Sequence, residues 1–157
     1  MNDLISQNIN FDLKLIDRST KIKDAVMKAV ETDSFELIFS PIYSMEDKKN
    51  ASAIVSYRFL DDEIGYVYAK EMIPILERQG VLNDVIKKIN NKIINFYKNE
   101  FNSCDIKSIV LKVSSPMTIQ AGYLNELFDL MKENNIPSDY LCIEITEYIV
   151  SKSKNKL

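Results

Sequence analysis

Hydrophobic positions along this chain switch between a spacing of two and a spacing of three to four, and the switches mark out its elements. The spacing of two appears in Phe35-Glu36-Leu37-Ile38-Phe39, across residues 52–60, and across Lys107–Ser114, where Ile109, Leu111 and Val113 alternate with Val110, Lys112 and Ser114. It returns in Leu141-Cys142-Ile143-Glu144-Ile145-Thr146-Glu147-Tyr148, and each of these runs predicts a strand. The wider spacing first joins Ile22, Ala25, Val26, Ala29 and Val30, behind possible caps at Asp17, Ser19 and Thr20. Met72, Ile73, Ile75 and Leu76 mark a helix over 69–79 that Gly80 stops. Leu82, Val85, Ile86, Ile89, Ile93, Phe96, Tyr97 and Phe101 make the longest helix. Tyr123, Leu124, Leu127, Phe128, Leu130 and Met131 predict another, opening at Ser115-Pro116 and closing at Asn134-Asn135. The polar stretch Tyr43–Ala51 reads as a loop, and Asp61–Gly65 as a turn. Four strands alternating with helices predict an α/β fold whose later strands run parallel.

The strand at 141–148 carries a chemical question. Leu141, Ile143 and Ile145 form its apolar face, so Cys142, Glu144 and Thr146 lie on the other. A carboxylate in mid-strand is costly to bury unless it meets a cation, a metal or several donors. Cys142 is expected to be a small buried hydrophobe, Met72 and Met131 core residues, and Glu77 part of a solvated helix face.

Composition narrows the chemistry. The chain has 157 residues, 46% of them apolar, with three Gly and four Pro, enough for one domain with a real core. Twenty basic against 23 acidic residues give a net charge of −3, which argues against nucleic acid as the main partner. There is no histidine, and Cys104 and Cys142 form no close-spaced pair, so histidine catalysis and zinc-finger sites are excluded. No apolar run reaches the length of a membrane span and the first residues do not resemble a signal peptide, so a cytoplasmic setting is expected. Residues 1–17 read as an arm or helix, 18–150 as the domain, and 151–157 as a basic tail.

Four pieces, in order and at matching spacing, resemble EAL domains, the bacterial phosphodiesterases that linearise cyclic di-GMP. They are Phe39-Ser40-Pro41-Ile42, the run AKEMIPILERQGVL over Ala69–Leu82, LKVS over Leu111–Ser114, and LCIEITEY over Leu141–Tyr148. The resemblance covers about residues 18–150 and implies part of a TIM-like barrel, about four strands with the first antiparallel to the rest. A full barrel of this kind takes about 250 residues.

Carried over position by position, the resemblance implies a degenerate site. The signature Glu-Ala-Leu falls on Ile54-Val55-Ser56, so Ile54 stands where the family has a metal-binding glutamate. Lys112 stands at a metal-binding asparagine, and Ser40 at the glutamine of Gln-Pro-Ile. Glu144 keeps a metal-ligand position, Glu147 matches a glutamate that steadies a loop, and Arg58 matches an arginine that contacts substrate phosphate. The family's Mg²⁺ or Mn²⁺ needs several oxygen ligands, so no metal, cofactor or catalytic residue is expected here. Lys112 then either pairs with Glu144, its ammonium replacing the metal, or snorkels into water. Arg58 and Ser40 are the residual ligand-binding candidates, although Arg58 could simply pair with Asp61, Asp62 or Glu63.

The expected function is that of an inactive EAL-like module for regulation or protein interaction in bacterial signalling. The alternatives are a cyclic di-GMP receptor and a fragment of a cyclic di-GMP phosphodiesterase. Open barrel edges call for cover, so self-association as a dimer, a protein partner, or a terminal segment from 1–16 or 148–157 folding across is expected.

Overall fold

A computed structural model describes residues 20–113 and 122–145. Helix α1 spans residues 20–32 and buries Ala25, Val26 and Ala29, three members of the expected stripe. Strand β1 (Glu36–Ser44) turns back into β2 (Lys49–Asp61), and β2 turns again into β3 (Gly65–Tyr68). Helices α2 (Ala69–Gln79) and α3 (Leu82–Asn99) follow, then β4 (Ser108–Val113), α4 (Tyr123–Glu133) and β5 (Leu141–Ile145). The expected helix start at Ser115-Pro116 lies outside the described residues.

Two departures from the sequence expectation have physical causes. The stretch 43–51 is not a loop. Tyr43 pairs with Asn50 and Ser44 with Lys49, leaving only a turn at 45–48. The register shifts after Ile42, so Ala51 is an extra residue on β2, and such a bulge breaks the alternation that would have revealed the strand. The second departure is β3, a fifth strand too short to show a period. Its turn is set by the Asp61 carboxylate, which accepts from the backbone N–H groups of Glu63 (3.0 Å) and Ile64 (3.1 Å).

The sheet runs β1-β2-β4-β5, with β3 also on β2. Strand β1 is antiparallel to β2, whereas β2, β4 and β5 are parallel. On its second edge β2 is shared: Ser52–Val55 pair with β4, and Arg58–Asp61 pair with β3. Ser56 and Tyr57 lie between those two ladders.

Strand β2 alternates strictly from Ala53. Ala53, Val55, Tyr57 and Phe59 are buried, as are Ile109, Leu111 and Val113 of β4. All four α-helices of the described residues contribute to the apolar cluster on this face. Phe35 sets its ring edge-on to Tyr57 and Phe59 at 6.2 and 6.1 Å, and Met72, Leu76, Leu82 and Val85 are almost wholly buried. Each such side chain contributes about 1.5–3 kcal/mol relative to exposure. The opposite sheet face carries Ser40, Ile54, Ser56, Arg58, Lys112, Cys142 and Glu144, and it is the more solvated one. No helix among the described residues is long and apolar enough to cross a membrane.

Candidate functional site

The residues singled out by sequence fall on this second face because strand parity puts them there. Lys112 and Glu144 are register partners on the parallel strands β4 and β5. Adjacent same-face side chains in a ladder meet, and Lys112 Nζ lies 3.0 Å from Glu144 Oε1. The two side chains are 51% and 43% exposed, so the pair is neither buried nor fully solvated. Lys112 therefore reaches both water and the carboxylate. The cost of burying a carboxylate does not arise here, since Glu144 is open to solvent. Cys142, expected to be buried, is exposed on the same strand for the same reason.

Arg58 is held elsewhere. It is the register partner of Glu36 on β1, and its Nε donates to Glu36 Oε1 at 2.5 Å. Its guanidinium also lies 3.8 Å from the centre of the Tyr66 ring. The bond to Glu36 is the main reason its pKa stands above the ordinary arginine value, with Tyr68 adding to it and partial desolvation opposing. The expected pairing with Asp61, Asp62 or Glu63 is replaced by this one. The β1–β2 hairpin places Glu36 directly opposite, whereas the Asp61 carboxylate is committed to its own turn. Counting back along the hairpin from Arg58 is the signal that would have found Glu36.

Ser40 and Ile54 are register partners across β1 and β2, with Ser40 exposed. On the next strand Ile54 neighbours Val110, one step short of Lys112 on that face. The structure thus joins Lys112 to Glu144 and Ser40 to Ile54, and seats Arg58 apart in a carboxylate–aromatic clamp. Glu147 lies outside the described residues. Among the described residues no three carboxylate or thiol groups come together to hold a metal ion. A hard divalent cation does not fit this arrangement: Ile54 offers no oxygen, and an ammonium occupies the near side of Glu144.

Sequence reasoning also missed a polar pair on the helix side. Asn90 is buried on the inner stripe of α3, where its Oδ1 accepts from the Tyr123 hydroxyl at 3.2 Å. An asparagine beside Ile86, Ile89 and Ile93 was the available signal.

An antiparallel first strand, a run of parallel strands and helices on one face define part of a modified α/β barrel. The EAL domain family profile matches residues 23–156, and the chain belongs to that family. It is 25% identical over 146 residues to the probable cyclic di-GMP phosphodiesterase PdeI of Escherichia coli (strain K12), covering 90% of this chain and 19% of that protein. Among solved structures, the EAL enzyme Bd1971 bound to cAMP and cyclic di-GMP superposes with a TM-score of 0.68 at 20% identity, over 93% of this chain and 41% of that one. The FimX EAL domain from Pseudomonas aeruginosa, bound to cyclic di-GMP, gives a TM-score of 0.64 at 23% identity, over 85% and 54%. The chain thus spans about half or less of each of these relatives.

Proposed function

We propose that this chain is a regulatory or protein-interaction module of bacterial cytoplasmic signalling, built on an EAL domain that does not hydrolyse cyclic di-GMP. The observation that carries this reading is the 3.0 Å contact between Lys112 Nζ and Glu144 Oε1. Hydrolysis of a phosphodiester at such a site needs a divalent ion to generate hydroxide and absorb phosphoryl charge. Here a side-chain cation takes up the carboxylate that would retain the ion, and Ile54 supplies no second ligand. The interaction role is supported by the apolar groups the chain leaves exposed: Leu60, Tyr66 and Tyr68 on the β2–β3 hairpin and Ile145 on β5. A protein partner or a second copy of this chain fits that surface.

The second reading is a cyclic di-GMP receptor. It draws on relatives that carry the nucleotide and on the retained Arg58. Against it, the Arg58 guanidinium is already neutralised by Glu36 and stacked on Tyr66. Titration calorimetry with cyclic di-GMP, with and without Mg²⁺ or Mn²⁺, separates the readings when a chromatographic hydrolysis assay and light scattering accompany it. The expected result is no turnover, no metal-dependent heat, and a mass in solution that rises with protein concentration. Metal-dependent hydrolysis overturns the proposal, and saturable metal-free binding turns it into the receptor reading.

A further inference from the structure

Beyond Val55 and Leu111 the ladder between β2 and β4 ends, and a partly open cavity of about 380 Å³ lies there against α2, α3 and α4. Its lining divides by depth. Leu82, Ile89, Leu111 and Val113 are buried, with Ile73 and Ile86 half-buried, so the inner wall is aliphatic. The inner polar groups ask for no ligand: Asn90 and Tyr123 satisfy one another, and the Tyr57 hydroxyl is sealed away. Ser56, Lys70 and Lys112 are exposed and form the mouth. Among the described residues the lining holds two lysines and no carboxylate, in a chain whose net charge is −3. Lys112 is paired with Glu144 at 3.0 Å. Lys70 has no ion-pair partner among the described residues.

We propose that this cavity binds a small amphiphilic monoanion, an alkyl chain ending in a carboxylate, with the chain on the aliphatic wall and the head at Lys70. Protein interiors pack with few voids larger than a water, and this one falls within the roughly 300–1,000 Å³ range of ligand pockets. The wall selects an apolar body, because removing such a body from water is favourable and these side chains offer it no competing polar partner. The mouth selects the charge. A cationic head would meet two lysines, and an uncharged one would leave Lys70 without a counter-charge. One negative charge suffices, since Glu144 already neutralises Lys112 and a second anionic group would have to displace it. The head also stays at the solvated rim, so binding avoids the cost of burying a charge.

The proposal goes beyond the interaction reading and does not depend on it, since no nucleotide, metal or protein partner takes part. Its test uses the full chain with ¹³C-labelled isoleucine methyls, titrated below the micelle threshold with octanoate and with octylammonium, which carry the same chain and opposite charges. Octanoate is expected to move the Ile73, Ile86 and Ile89 methyl signals saturably, and to bind about fivefold more tightly than octylammonium. Lys70 is exposed, so Lys70→Gln leaves the core untouched, and in that variant the two probes are expected to bind alike, within about twofold. Absence of saturable shifts overturns the proposal, as do shifts equally large at isoleucines outside the lining, such as Ile22 and Ile136. So does equal binding of the two probes by the unaltered chain, or a fivefold preference that survives in Lys70→Gln.

Discussion

At the residue scale, exposure decides what each polar contact is worth. The Lys112–Glu144 pair is about half solvated, and exposed ion pairs contribute roughly 0–1 kcal/mol. Lys112→Ala is therefore expected to shift the urea midpoint by the equivalent of no more than about 1 kcal/mol. A loss several times larger would mean that the pair is sealed from water. The helix-side tyrosines behave differently, because their surroundings are apolar. Tyr123→Phe leaves the buried Asn90 oxygen without the donor it has at 3.2 Å, and a stranded acceptor costs about 1–3 kcal/mol. Tyr57→Phe removes a buried hydroxyl that has no partner among the described residues, so the same urea measurement should show no loss and up to about 1 kcal/mol of gain. Two identical substitutions of opposite expected sign make the comparison internally controlled. The Lys112–Glu144 adjacency could be read from the sequence, because matching two strands to a known barrel sets which side chains are neighbours. Its solvent exposure could not, since that depends on what covers the open face.

At the element scale, the helices were the most legible part of the chain. Helix α2 runs over Ala69–Gln79, as its apolar stripe and Gly80 require. Gly80 adopts φ = 70°, the left-handed conformation in which its N–H reaches back to the Glu77 and Leu76 carbonyls. A Cβ built there meets nothing within 4 Å, so the cost of Gly80→Ala is purely conformational. It should lower stability by about 1 kcal/mol, read as a drop in Tm. The strands were less legible where they leave the core. Residues 43–44 and 49–51 belong to a hairpin arm that carries a bulge, and β3 spans only four residues. Period-based reading fails in both, because neither buries one face over enough residues to record a pattern. Arg58 shows the consequence for the site. Its partner Glu36 is fixed by hairpin register, a relation between strands that a scan of nearby residues does not reach.

At the scale of the whole molecule, one apolar cluster joins the four described α-helices to a single face of the sheet, and buried tyrosines run through it. Tyr57, Tyr123 and Tyr140 each have a pKa raised well above the ordinary tyrosine value, chiefly by burial. Near neutral pH all three are protonated whether the chain is folded or not, so their contribution is fully present there. Above about pH 10 an unfolded chain releases these protons while the folded core still holds them. The proton count then favours unfolding, and stability falls as pH rises toward the folded-state values. Urea unfolding between pH 8 and 11.5 should therefore show a midpoint level up to about pH 9.5 and falling steadily beyond it. Over the same range, the ultraviolet signal of phenolate from Tyr57, Tyr123 and Tyr140 should appear together with loss of the fold. A midpoint independent of pH, or ionisation of these three phenols while the chain is still folded, would show that these rings are reached by solvent and that the cluster is not the continuous core which holds the sheet and helices together.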